Sequence, residues 1–302
     1  MIDNQYTQYG GVENFWLDTH RPLLINLNGL SEEYHATFVN VAREVIAFVN
    51  LFFKTQFYYG GISNFDPKEW SSFDFIGVCV NPIDNPARLA SALLVPDWEQ
   101  SCWKGGMITM FPKAFKPTYN FFDWLLDRRK VDVRESVFNV FLHEFLHILG
   151  VDHTNITPSL MVGDKVIEYG FGLQAWDLAV GTKYMKYKKG SNPDSLKVIT
   201  NAHITNRGRY LVIPAILYRK KMYSVSMMKE SSATNAWKPI YWKRWDKAKF
   251  DNTQDFSFSE IYNMSNLDES VVLRNVYKSP IHADDAPFDI KLVRKNDLWV
   301  EV

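Results

Sequence analysis

One eleven-residue stretch, His143-Glu144-Phe145-Leu146-His147-Ile148-Leu149-Gly150-Val151-Asp152-His153, restricts this chain more than any other part of it. Histidines four apart share one face of a helix, so His143 and His147 can reach a single cation from the same side. Gly150 can take a left-handed backbone at no steric cost and end that helix, turning the chain so that His153 comes back to the same point. Three neutral imidazoles with a fourth position open describe a catalytic metal site, not a structural one. Glu144, next to the first ligand, is placed to act on a water bound there. The bland alternative is a core helix that happens to carry histidines. It is disfavoured because three buried imidazoles without a common partner would be costly.

The helix around these residues supports that reading. Asp132 with Glu135 three later gives a capping-box-like start. Val137, Phe138, Val140, Phe141, Leu142, Leu146 and Leu149 then make it apolar nearly all round, and such a helix must be buried. A buried helix holds its imidazoles still.

The stretch resembles the signature of the metzincin metallopeptidases, H-E-x-x-H-x-x-G-x-x-H followed by a methionine turn. The resemblance continues to Ser159-Leu160-Met161, eight residues after His153. There the family places a methionine whose thioether forms an apolar floor below the metal. Thr154 and the offset to Met161 are closest to the matrixin branch. Val162-Gly163 stands where matrixins commonly carry Tyr-Pro, and no tyrosine lies two residues beyond Met161 to act as an extra ligand. The resemblance implies one catalytic zinc ion on His143, His147 and His153, Glu144 as general base, and hydrolysis of peptide bonds in a peptide or protein substrate. It also implies a zincin-like α+β catalytic domain with a mixed sheet and an active-site helix.

Along the chain, Leu23–Leu27 reads as a first strand. Ser31 with Glu32 and Glu33 starts a long amphipathic helix ending near Phe53. Tyr58-Tyr59-Gly60-Gly61 reads as a turn. Residues 73–80, 90–95 and 105–112 read as strands. Metzincins border the cleft with a strand at about this place in the order, so Gly106, Met107, Ile108 and Thr109 are expected either to pair with extended substrate or to form a plain internal strand. Phe121 to Arg129 reads as a short aromatic helix or loop. Residues 173, 176, 180 and 184 suggest the closing helix of a domain spanning 1–189. A charged, turn-rich linker at 186–193 leads into a small, mostly-β domain at 190–302 with strands near 210–214, 223–227, 271–273 and 290–293. Of Trp237, Trp242 and Trp245, core packing accounts for one or two; the alternative is a stacking surface for carbohydrate or peptide.

Composition narrows the classes further. An apolar fraction of 46% excludes a disordered chain. Cys79 and Cys102 are too few for a disulfide scaffold and are expected to be free. Neither supplies the zinc-capping propeptide cysteine that secreted matrixins carry. No basic-then-apolar leader opens the sequence, and the apolar run at 45–53 is too short to span a bilayer, so synthesis in the cytoplasm is expected. From Lys183 to Lys249 sixteen basic residues face three acidic ones, yet no nucleic-acid motif accompanies them. These absences also support a second expectation. The chain could be a component of a large protein assembly, such as a viral particle, that keeps the zincin fold and joins its neighbours through the C-terminal domain.

Overall fold

The computed structural model describes residues 16, 18–53, 55–83, 85, 88–115, 133–155, 158–162, 173–178, 202–205, 208–218, 221–231, 234–244, 262–266, 270–278 and 286–302. The aromatic segment at 121–129, the linker at 186–193, the capping residue Asp132 and Trp245 lie outside them. The described chain is α+β, with two sheets and few helices.

The first sheet holds β1 (Pro22–Asn26), β2 (Tyr58–Ile62), β3 (Ile76–Val80), β4 (Ala90–Asp97) and β5 (Cys102–Met110) in the order β2-β1-β3-β5-β4. All its pairings are parallel except that of the edge strand β4 with β5. β3, buried at every position, is the continuous apolar run expected of an interior parallel strand. Two helices cover one face, α1 (His35–Phe53) and α2 (Val133–Ile148). Phe38 of α1 meets Phe141 of α2, Phe48 meets Phe138, and Arg134 pairs with Glu44 across the helices. The helical stretch Glu32–Phe53 is long and apolar enough to cross a membrane, but Phe38, Val41, Val45, Phe48 and Phe52 are spent in this core. A smaller cluster of Phe73, Cys79, Val95 and Met107 is separate from that core. Cys79 and Cys102 are both buried and are not joined in a disulfide, as expected.

Two expectations are corrected here. Tyr58–Gly61 is not a turn but part of edge strand β2. Gly60 lies where a Cβ would meet Leu24 and Pro22 of β1 at 2.7 and 2.8 Å, so the glycine serves close strand approach. Gly106, Met107, Ile108 and Thr109 do not form a free edge. They lie on β5, paired with β3 on one side and β4 on the other, so their backbone groups are already taken. A Cβ on Gly106 would stand 2.6 Å from Ile148 Cδ1, so this glycine lets α2 press against the sheet. Among the described residues the edges of this sheet are β2 and β4.

The second sheet comprises β6 (His203–Thr205), β7 (Tyr210–Tyr218), β8 (Lys221–Lys229), β9 (Ala236–Arg244), β10 (Tyr262–Asn266), β11 (Ser270–Lys278), β12 (Phe288–Lys295) and β13 (Leu298–Glu301). Antiparallel pairing runs from β11 through β12, β13, β9, β8 and β7 to β6. A short parallel pairing of β6 with β11 then closes a seven-stranded barrel, with β10 added beside β11. Leu211, Ile213, Val225, Met227, Trp237, Leu273, Leu292 and Trp299 fill it. Trp237 is therefore core, while Trp242 is 48% exposed.

The barrel is not a loose appendage. His203, Val212, Ser226 and Tyr241 are successive cross-strand partners on β6, β7, β8 and β9, so they project from one face as a single row. His203 packs edge-on to Phe48 and Phe52 of α1, with ring centroids at 5.6 and 4.8 Å. Val212 and Tyr241 join the core of the first layer. The neighbours of Val212 on β7, Leu211 and Ile213, point into the barrel, which makes β7 apolar on both faces.

Candidate metal centre

The end of α2 is built locally. Gly150, at φ +90°, donates its N–H to the His147 carbonyl at 2.8 Å, and Val151 donates to Leu146 at 2.9 Å. This bond pair is a Schellman turn, which a left-handed glycine permits. The indole N–H of buried Trp16 donates to the Ile148 carbonyl at 2.7 Å and satisfies a further helix-end acceptor. The chain then reverses and His153 faces back toward the helix.

The three rings converge. His153 Nε2 lies 3.1 Å from His143 Nε2 and 3.2 Å from His147 Nε2. Two of these rings have their protonation set by their other nitrogen. His143 Nδ1 is 2.7 Å from the Leu160 carbonyl and His147 Nδ1 is 2.7 Å from the Val151 carbonyl. A carbonyl can only accept, so both Nδ1 atoms carry the hydrogen and both Nε2 atoms offer a lone pair. Both lone pairs face the third nitrogen, His153 Nε2, so one cation placed among the three would meet all of them. Nitrogens at about 2.0–2.1 Å from a tetrahedral ion stand about 3.3–3.4 Å apart, close to the spacing seen. The donor set fits a divalent metal ion. The expected triad is thus brought together, and it is the ligand group that could hold a metal among the described residues.

Electrostatics keep the triad ready. Burial drives the His143 ring down to about 3 and the His147 ring down to about 4, so both stay neutral ligands across the physiological range. His153 is exposed and His147 half-buried, which leaves the cluster open to solvent on that side. Glu144 is buried, and burial pushes its carboxyl up to about 8 against the pull of Arg88. A divalent cation alongside would favour the ionised form, the state a general base needs.

A second turn, Ser159-Leu160-Met161, reaches the cluster through the Leu160 carbonyl. Met161 is fully buried, and its carbonyl accepts the N–H of Thr154 at 2.9 Å, next to His153. Asp177, not singled out in the sequence, organises this turn. It takes the Ser159 hydroxyl, the Leu160 N–H at 2.8 Å and the Gln174 N–H at 2.8 Å, while Ser159 Oγ also accepts from Met161 N–H at 2.9 Å. Full burial pushes Asp177 up to about 6 despite those donors. A lone acid between Trp176 and Leu178 was the available signal, since a carboxylate in an apolar helical turn must be partnered. Gly106, Met107, Ile108 and Thr109 are not part of this cluster; they lie in the sheet behind α2. The chain matches no protein-family model and no curated protein sequence.

Proposed function

We propose that this chain is a metzincin-like zinc endopeptidase. The observation that carries the reading is that His153 Nε2 comes to 3.1 and 3.2 Å of the His143 and His147 Nε2 atoms, on a helix that also carries the buried Glu144. The mixed sheet with the ligand-bearing helix α2 against it agrees with a zincin-like first domain at 1–189. The barrel then forms most of the domain at 190–302. Zinc is the ion best suited to three imidazoles and an open position.

A bound zinc would acidify a coordinated water and polarise a scissile carbonyl. Glu144 is placed to take up a proton at its carboxylate and return it to a leaving amine, a role worth about 10²–10⁴ in rate. Its buried setting keeps competing water from the carboxylate. Burial keeps His143 and His147 neutral, and the Leu160 and Val151 carbonyls hold their Nδ1–H groups so that each Nε2 is left as the ligand atom. The free edge of β4, where Leu93 is partly exposed, offers backbone groups to an extended peptide in place of residues 106–109.

The test is zinc content together with cleavage of a peptide library. Wild type should bind one zinc and cleave. Glu144→Gln should keep the zinc and lose about 10²–10⁴ in kcat, while His147→Ala should lose the metal. Full proteolysis by Glu144→Gln would sink the reading. Zinc binding without cleavage by wild type would favour the assembly component instead.

A further inference from the structure

We infer that Ser226, carried on the barrel, is a positioning residue of the metal centre, which is complete only with the barrel docked. This rests on the three-histidine metal site proposed above. Ser226 Oγ accepts the N–H of Ala175 at 2.9 Å, and both residues are fully buried. His203, its neighbour but one in the docking row, meets the Leu173 carbonyl at 2.8 Å through Nε2, which must therefore carry the hydrogen. The barrel thus grips the backbone of residues 173 and 175 from one face.

That segment leads directly into Asp177. Its carboxylate holds Leu160 N–H at 2.8 Å, and the Leu160 carbonyl holds His143 Nδ1 at 2.7 Å. The path from β8 to a metal ligand therefore runs through buried hydrogen bonds and three residues of backbone, with no water-exposed link. Buried bonds of this kind transmit displacement because no solvent can replace a lost partner. Tyr241, paired with Ser226 across β8 and β9, stands near the same carboxylate and is pushed up to about 12 by burial and by Asp177. The barrel and the methionine turn therefore share one polar junction.

The probe is zinc alone, titrated into the full-length metal-free chain against a chromophoric chelator. Ser226→Ala should weaken zinc binding about tenfold, the lower end of what a lost supporting group costs. Ser226→Thr keeps the oxygen and should restore most of the affinity. Ser226→Cys keeps the volume but offers a weaker acceptor, and should fall between. Leu292→Ala, in the barrel core, should lower Tm and leave zinc affinity unchanged at a temperature where the chain is folded. Affinity within twofold of wild type in both Ser226→Ala and Ser226→Cys overturns the inference. So does an equal loss in Leu292→Ala, which would reduce the effect to stability. If wild type binds zinc, and Ser226→Ala weakens it, without any peptide cleavage, the inference stands while the hydrolase reading falls. If wild type binds no zinc, both fall.

Discussion

His143 and His147 are one helical turn apart and make the same kind of bond, yet they are held in place by very different means. The His147 ring is steadied by the Val151 carbonyl, four residues away, within a turn that Gly150 closes. The His143 ring is steadied by the Leu160 carbonyl, seventeen residues away, and Leu160 is itself held by Asp177, another seventeen on. Beyond Asp177 lies Ser226, fifty-one residues from the Ala175 it binds. One side of the site is local and cheap to form. The other side exists only once distant parts of the chain have packed. A site built this way has two of its ligands on a rigid helix but its alignment dependent on the whole fold.

The sharpest way to break this comparison is to remove the remote support alone. Asp177→Ala would leave the Ser159 hydroxyl and the Leu160 and Gln174 N–H groups buried without their acceptor. Each orphaned group costs about 1–3 kcal/mol, so a stability loss of several kcal/mol is expected. Zinc affinity should fall about 10–100-fold, as for other lost supporting groups. Chemical denaturation and zinc titration of the same protein would measure both. Unchanged affinity would mean that the Leu160 carbonyl is held well enough without Asp177, and the two sides would be alike.

The same asymmetry decides what could be read from the sequence. The triad, the helix end and the methionine turn were legible because their geometry is fixed by spacings of a few residues. Asp177 was not, because its partners are assembled from a loop and a helical turn that only folding brings together. The β8 stretch Tyr223-Ser224-Val225-Ser226-Met227 reads as a strand, but nothing in its pattern says that its two serines are fully buried or that Ser226 meets a backbone donor of the first layer. β5 was recognised too, but no periodicity says that the next strand outward is β4, which precedes it in the chain. Order within a sheet depends on long-range packing, so the edge was misassigned while the strand was right.

A pH series on the metal-free chain sharpens the remote side further, since two of its buried groups pull in opposite directions. The His203 ring, ordinarily near 6.5, is lowered to about 4 by burial, and its Nδ1 has no partner among the described residues. Between those values the unfolded chain binds a proton that the fold refuses. His203 therefore adds stability above pH 6.5 that is lost as pH falls toward 4. Asp177, ordinarily near 3.8, is raised to about 6. In that window the fold keeps a proton the unfolded chain has released, so its contribution is full below 3.8 and is lost as pH rises through 6. Each slope has a limit of about 1.4 kcal/mol per pH unit. The deficit of His203→Gln relative to wild type should shrink on acidification from 6.5 to 4. The deficit of Asp177→Asn should shrink on going from 3.8 to 6. Parallel trends in the two variants would show that one of the assigned charge states is wrong.

The smallest effect is expected on the local side. Gly150→Ala puts a Cβ at φ +90°, in the left-handed region where an L-residue pays about 1–2 kcal/mol. The Schellman bonds from residues 150 and 151 use backbone groups that alanine keeps, and Trp16 still caps Ile148 from outside the turn. The strained turn should therefore persist, at a modest cost in stability by denaturant unfolding. Zinc affinity should move less than in Asp177→Ala, and Gly150→Asn should recover part of the stability because asparagine tolerates this backbone better. The turn also delivers His153, however, so it is the one local feature whose failure would reach a ligand directly. If Gly150→Ala lost as much zinc affinity as Asp177→Ala, the helix end would be the fragile element and the remote carboxylate the secure one.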